Sequence, residues 1–379
     1  MTDQLPAYPV TSQNVVGDRR MRAQAVVGEA WRDLATGTAR AALFAAVFTV
    51  VVGMLALADV RSVVQILRGA ASFRAAGASV QVLKAQVDGR RCDALSGVGA
   101  ISSAGALRQG SPVQILNLPS SQINLIEATP GLVAMLPLIA EPVSYDPEAS
   151  GGVWLSADLA RVLGAGPGTV VRTAAGDATV AGVYTWGDDG RARDLGYAMV
   201  APVPPDGAFT QCWSQIWPGD QALAGLSYVS VANSGQGMQA ILGQLNTSLG
   251  ISYDAGTLLR DRLTARAPWM AAVVGLALGF VAARARRLEI ASSLHARVPR
   301  SDLMWQHLLE AVAWVAAASA VAAAALLWAA RFGNPDPGWT TWATGLRTVA
   351  AGGAATLIGV LLGVLAAREK HLFKYAKDR

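Results

Sequence analysis

AALFAAVFTVVVGMLALA, residues Ala41–Ala58, contains no charged side chain, and Asp59 stands directly behind it. A helix needs about 20 such residues to cross about 30 Å of hydrocarbon. Three further runs have the same character: Ala267–Ala283 (APWMAAVVGLALGFVAA), Ala311–Ala330 (AVAWVAAASAVAAAALLWAA) and Val349–Ala367 (VAAGGAATLIGVLLGVLAA). Composition agrees, since 53% of the 379 residues are hydrophobic and only 15% charged, with a mean hydropathy of +0.35. The fold class that follows is a membrane protein, with four transmembrane α-helices and a large α+β extracytoplasmic domain between the first and second.

Orientation comes from the basic residues that flank the spans. Arg22, Arg32 and Arg40 precede the first; Arg284, Arg286, Arg287, Arg297 and Arg300 lie between the second and third; Arg368, Lys370, Lys374, Lys377 and Arg379 follow the fourth. The positive-inside rule makes all three segments cytoplasmic, in a multi-pass plasma-membrane protein with both termini inside. The expected divisions are a disordered cytoplasmic N-terminus (1–27), an interfacial helix with the first span (28–58), the extracytoplasmic domain (59–266) and the second span (267–283). A cytoplasmic loop (284–310), the third span (311–330), a short outer loop (331–348), the fourth span (349–367) and a cytoplasmic tail (368–379) complete the chain. Arg19, Arg20, Arg22, Asp33 and Arg40 ahead of the first apolar run make it an anchor, not a cleaved signal peptide.

Several functions are excluded by what is missing. The net charge of +5 follows from topology, and no basic stripe interleaved with aromatics exists to bind nucleic acid. There is no GxxxxGK[ST] nucleotide-binding sequence. The three histidines, His295, His307 and His371, all fall on the cytoplasmic side without zinc spacing, so neither a metal centre nor an outer Ser-His-Asp triad is expected. Asp188 and Asp189 in WGDDG are readable as a cation site or as a solvated turn. The chain is not expected to be an enzyme or to hold a cofactor, and energy must come from a partner. Cys92 and Cys212 both lie in the outer segment, where they can form a disulfide or remain two thiols.

Within that segment GGVWLSADLARVLGAGPGTVVRTAAGDATVAGVYTW predicts a strand at Val153–Leu155, a helix capped by Ser156 and running to about Leu163, and strands at Thr169–Arg172 and Ala178–Tyr184. A strand at Ser79–Ala85, a short helix near Arg90–Leu95 and an extended piece at Val113–Leu116 form another unit. A third combines an alternating strand, Tyr228–Ala232, with a helical GMQAILGQLNTSLGI. Near the N-terminus, Ala30, Trp31, Leu34 and Ala35 share a helical face, which reads as an amphipathic interfacial helix or as an extension of the first span.

RRLEIASSLHARVPRSDLMWQHLLEA, Arg286–Ala311, carries a dense charged cluster between two apolar runs. A helix is predicted to about Leu294, with Leu288, Ala291, Ser292 and His295 near one face; Pro299 interrupts it, and Ser301 and Asp302 are candidate N-caps for the next. A helix-turn-helix bearing both charge signs suits docking of another protein, and a solvated loop held inside by its arginines is the alternative. Glu310 sits at the inner membrane edge, where a carboxylate needs a partner or reaches for the interface. Gly275 with Gly279, and Gly359 with Gly363, form GxxxG pairs that permit close helix packing and would also serve a dimer.

This stretch resembles the signature of MacB/FtsX-type (type VII) ABC transporter permeases. Arg286, Glu289 and Ile290 match its start, Asp302 and Leu303 fall in register, and Leu308–Ala311 supply its LLEA; Ala296, Arg297 and Pro299 depart from the pattern. EAWRDLATGTARAALFAAV and VWLSADLARVLGAGPGTVVRT with TVAGVY are also similar to family segments. The resemblance implies a permease subunit driven by a separate cytoplasmic ABC ATPase that carries ATP and Mg, paired with a second identical or homologous permease in membrane lipid. It further implies an ATPase-coupling loop made by Arg286, Arg287, Glu289, Ile290, Leu294, Arg300, Asp302 and Leu303. Either export or extraction of a hydrophobic or amphipathic substrate, or FtsX-like signalling that regulates a cell-wall hydrolase or senses a ligand without transport, would use that architecture.

Overall fold

The computed structural model describes residues 23–37, 40–116, 118–149, 151–219, 221–232 and 239–368. The expectations for residues 1–22 and for the tail beyond Arg368 lie outside them. Helix α1 (Ala23–Thr36) precedes the long α2 (Ala41–Ala75). There follow β1 (Val80–Asp88), α3 (Gly89–Asp93), β2 (Ile101–Gln109), β3 (Val113–Ile115), β4 (Leu118–Ala128), α4 (Pro130–Ile139), β5 (Glu141–Tyr145), β6 (Val153–Ser156) and α5 (Ala157–Leu163). The domain continues through β7 (Val170–Thr173), β8 (Gly176–Thr185), β9 (Ala198–Pro202), β10 (Ala208–Ile216), α6 (Gln221–Ala224), β11 (Ile241–Gln244) and α7 (Ala255–Asp261). The chain closes with α8 (Ala267–Ala285), α9 (Arg287–His295), α10 (Arg300–Arg331) and α11 (Trp339–Ala366). Two compact units result, Met1–Val64 with Asp261–Arg379, and Gln65–Arg260.

In the first unit, four helical segments are long and apolar enough to cross a membrane: α2, Leu263–Ala285, α10 and α11. Lipid offers no hydrophobic drive for helices to associate, so close packing of small side chains must hold them. The buried residues of α8 are Ala267, Ala271, Gly275, Gly279 and Ala283, a stripe with a four-residue repeat. It lies against Gly352, Thr356, Gly359 and Gly363 of α11 so closely that a Cβ at Gly279 would overlap the Thr356 carbonyl, and one at Gly359 the Leu276 carbonyl. Both GxxxG pairs are therefore occupied within the chain. Phe44 and Phe48 of α2 pack on Trp314 of α10, with ring centroids 6.1 and 6.4 Å apart. Trp305 and Trp328, at opposite ends of α10, are 60% and 64% exposed. Their separation of about 35 Å along the axis is that of two aromatic belts bracketing a hydrocarbon layer.

The second unit is built on an 11-stranded sheet in the order β11-β1-β10-β2-β4-β3-β7-β8-β6-β9, with β5 added on β8. β9 also pairs back on β4 in parallel, Asn124–Ala128 beside Ala198–Pro202, which closes β4-β3-β7-β8-β6-β9 into a barrel. Ile115, Ile123, Leu155, Leu159, Val180 and Met199 belong to one buried cluster of these barrel strands and α5. Helix α4 buries Leu132, Met135, Leu136 and Ile139, and approaches β2 where Gly105 leaves room, since a Cβ there would overlap the Leu132 backbone. Cys92 and Cys212 form a disulfide, Cα–Cα 5.9 Å, across a separation of 120 residues.

The predicted helix capped by Ser156 is present: its hydroxyl accepts from the Leu159 N–H, and Gly164 ends the helix in the left-handed conformation at φ 61°. Two expectations fail. Tyr228–Ala232 is not a strand; Gly225–Ser230 is a 3-10 helix, because the Ser227 and Ser230 hydroxyls are buried and bonded to Ser214 and to the Ser227 carbonyl. Nor is the segment after it helical: Ile241–Gln244 pairs antiparallel with Gln81–Lys84, and pairing along β1 overrides the helical spacing. Residues 237 and 238 of that expectation lie outside the described residues.

Asp189 is engaged by Arg191, 2.6 Å away, and Asp188 by Arg193, 3.0 Å away. The Arg191 hydrogen bond, opposed by burial, holds the Asp189 carboxyl below its ordinary range. Among the described residues no group of three or more His, Cys, Asp and Glu could hold a metal ion.

Candidate functional site: an ion cluster joining four helices

Helix α8 ends at Arg286, and α9 begins one residue later. A guanidinium at this point faces the negative end of the α8 dipole, and its planar fork can serve several carboxylates at once. Its Nε and Nη2 both donate to Glu289 on α9, the former at 2.8 Å, as a bidentate pair. Nη2 also donates to Asp33 Oδ2 of α1 at 2.5 Å, and Nη1 to Glu310 of α10. From α10, Gln306 Nε2 donates to Asp33 at 3.0 Å, and His307 Nδ1 lies 3.4 Å from Glu310 Oε2 and 3.3 Å from Arg286 Nη1.

The side chains of Arg286, Glu310, Asp33 and His307 are 9%, 5%, 11% and 6% exposed, whereas Glu289 is 41% exposed and forms the wet edge of the cluster. Burial opposes ionisation of Asp33, but the hydrogen bond and charge of Arg286 outweigh it and hold that carboxyl below its usual range. Burial likewise works against the Arg286 cation, and the carboxylates around it overcome that and hold it charged. Removing any one charge would leave the others buried without compensation, which makes the cluster a joint between α1, the α8–α9 junction and α10.

Glu310 is thus not an isolated carboxylate. The residues expected to form a docking loop divide between the interior and the surface. Ile290, Leu303 and Leu294 pack into the helical core with Val298, and Asp302 is buried in the first turn of α10, accepting from Ser301 Oγ at 3.1 Å. Pro299, not Ser301 or Asp302, takes the N-cap position. The buried face of α9 is Ile290 with Ala291, and Ser292 and His295 turn outward, about one helical step from the expected face. Arg297, at φ 64°, Arg300 and Trp305 are exposed, while Arg287 is half-buried. On α1 the inward residues are Val26, Ala30 and Asp33, and Trp31 is 72% exposed.

Asp33, Gln306 and His307 escaped the sequence reading. Gln306, His307 and Glu310 lie at i, i+1 and i+4, a polar stripe on one helical face entering an apolar run, which is the signal that would have found them.

No model of a known protein family matches the chain, and no curated protein does. Solved structures do. The inserted domain is similar to the periplasmic region of MacB. For the Actinobacillus actinomycetemcomitans protein the match covers 45% of this chain and 91% of that one, at 11% identity and a TM-score of 0.33. A domain of a putative permease from Porphyromonas gingivalis matches over 46% of this chain and 93% of that one, at 17% identity and a TM-score of 0.34. The extracellular domain of the noncanonic ABC-type transporter YknZ from Gram-positive bacteria matches over 40% and 93%, at 14% identity and a TM-score of 0.29.

Proposed function

We propose that this chain is the permease subunit of a MacB/FtsX-like ABC transporter complex, in which a separate cytoplasmic ATPase drives motion of the spans. One observation supports this above the others: α9 is fastened to α1 and α10 by an ion cluster that is buried except at Glu289, so a force applied to its outward face is shared among three helices. A loop held inside only by its arginines would have no use for so costly a joint. The signature residues Arg286, at its centre, and Glu289, at its wet edge, both belong to it, which gives the sequence resemblance a physical content. The outward-facing Ser292, His295, Arg297 and Arg300, the rim of this loop, supply the polar and basic contacts that suit an acidic partner surface. By the positive-inside rule this end of the spans is cytoplasmic.

In this reading the ATPase closes on ATP and Mg, the rim moves with it, and the spans carry the displacement toward the extracytoplasmic domain, which handles a hydrophobic or amphipathic substrate. The test is ATP hydrolysis by the co-expressed ATPase in nanodiscs with and without the chain. Arg297→Glu with Arg300→Glu should lower the stimulation at least about ten-fold, the equivalent of about 1.4 kcal/mol, while thermal stability of the chain stays within a degree or two. Glu289→Lys is a poorer probe, because it also breaks the bidentate bond to Arg286. Unchanged stimulation by the double variant would refute the assigned rim.

A further inference from the structure

We infer that the second unit holds a binding site for a cationic amphiphile, in a cavity between α4 and strands β5, β6 and β8 with an acidic basin at its side. Helix α4 (PGLVAMLPLI) carries no polar or charged side chain, yet it buries one face only, through Leu132, Met135, Leu136 and Ile139. A helix apolar all round is ordinarily enclosed on every side. Here the other face, Pro130, Val133, Ala134 and Pro137 at i, i+3, i+4 and i+7, lines a cavity of about 660 Å³. That volume falls within the roughly 300–1,000 Å³ of small-molecule sites.

The opposite wall is aromatic, and the sheet register explains it. Tyr145 of β5 and Trp154 of β6 both pair with Gly182 of β8, the strand between them. A Cβ at Gly182 would overlap the Trp154 ring; without one the two rings meet across the strand, stacked with centroids 6.1 Å apart and 14° between planes. Trp154 is 5% exposed and held in the core, whereas Tyr145 is 58% exposed, and both line the cavity. Among the described residues no acceptor meets the Trp154 indole N–H, and a ligand oxygen can supply one. Charge then selects the ligand. The cavity adjoins a second basin of about 690 Å³ at Gly151 and Pro202, which line both. Asp146, Glu148 and Asp177 lie in that basin, its described lining includes no basic side chain, and none of the three carboxylates is ion-paired among the described residues. An apolar body in the first space with an ammonium in the second satisfies both, while an anionic amphiphile would meet three like charges.

As a substrate site it rests on the permease reading; as a binding site it does not. The test therefore uses the full chain in nanodiscs with no ATPase present, so its failure is distinct from failure of ATPase stimulation. The probe is dansylcadaverine, an aromatic body with a terminal amine, compared with its N-acetyl derivative, which keeps the body and loses the charge. Fluorescence anisotropy is read above that of empty nanodiscs. The amine should bind saturably and at least about ten-fold tighter than the acetyl compound. Asp146→Asn with Asp177→Asn, in which Asn keeps an acceptor for the Glu148 N–H, should bring the two probes within about two-fold of each other. Ala134→Trp fills the cavity from an exposed position on α4 and should abolish binding of both. Binding no greater than to empty nanodiscs, equal affinity for the two probes, an amine preference that survives the double charge variant, or binding that survives Ala134→Trp would each overturn the inference. Should Ala134→Trp not fold, Tyr145→Ser, also at an exposed position, must weaken both probes; unchanged affinity would equally overturn it.

Discussion

At Arg286 one guanidinium answers to Asp33, Glu289 and Glu310, so variants there should separate unequally. Arg286→Met strands every carboxylate of the cluster and should destabilise the purified chain by about 3–5 kcal/mol, whereas Glu310→Gln leaves Arg286 two anionic partners and should cost less. Thermal unfolding of both variants decides this, and equal losses would contradict it. Asp33 adds a pH dependence with a definite sign. Its carboxyl is held below the ordinary range, so its stabilisation is complete above the unfolded value of about 3.9 and is lost as pH falls through the folded value. Asp33→Asn should flatten the acid limb of the stability profile, and an unchanged acid limb would refute the assignment. At this scale the sequence was half legible. The cost of Glu310 could be read from its position, but its partner stands 24 residues away on another helix, and pairing at that range leaves no periodic trace.

Among the elements, α8 and α11 approach through glycines, and the direction of damage can be stated for each. Gly279→Ala and Gly359→Ala place a Cβ onto a carbonyl of the facing helix and should each cost about 1–3 kcal/mol, with leucine worse. Gly243→Ala on β11 meets nothing within 4 Å and should be neutral. Melting temperatures of the variants test the contrast, which fails if Gly243→Ala is as damaging as the α8 and α11 substitutions. The spans were legible because a hydrocarbon layer imposes length and polarity on each helix independently. The barrel was not, because it closes by a parallel pairing of β4 with β9 across the chain, and local spacing carries no record of it. β11 was misread for a related reason: its partner β1 lies far back in the sequence, and the edge of that strand decides its conformation.

For the molecule as a whole, the disulfide and the ion cluster stabilise different units. Cys92–Cys212 closes a loop of 120 residues, for which chain entropy gives about 4–5 kcal/mol. Replacing both cysteines by alanine should lower the melting of Gln65–Arg260 in the full chain, followed by hydrogen exchange, without altering exchange in α10 and α11. The proposed function requires the chain to transmit work done by an ATPase. The most direct measurement is copurification of the tagged full chain with ATPases encoded in its genomic surroundings, using the unmodified protein and Arg297→Glu with Arg300→Glu. One ATPase should be recovered with the unmodified chain and lost with the variant. Recovery of no ATPase, or equal recovery with both, would contradict it.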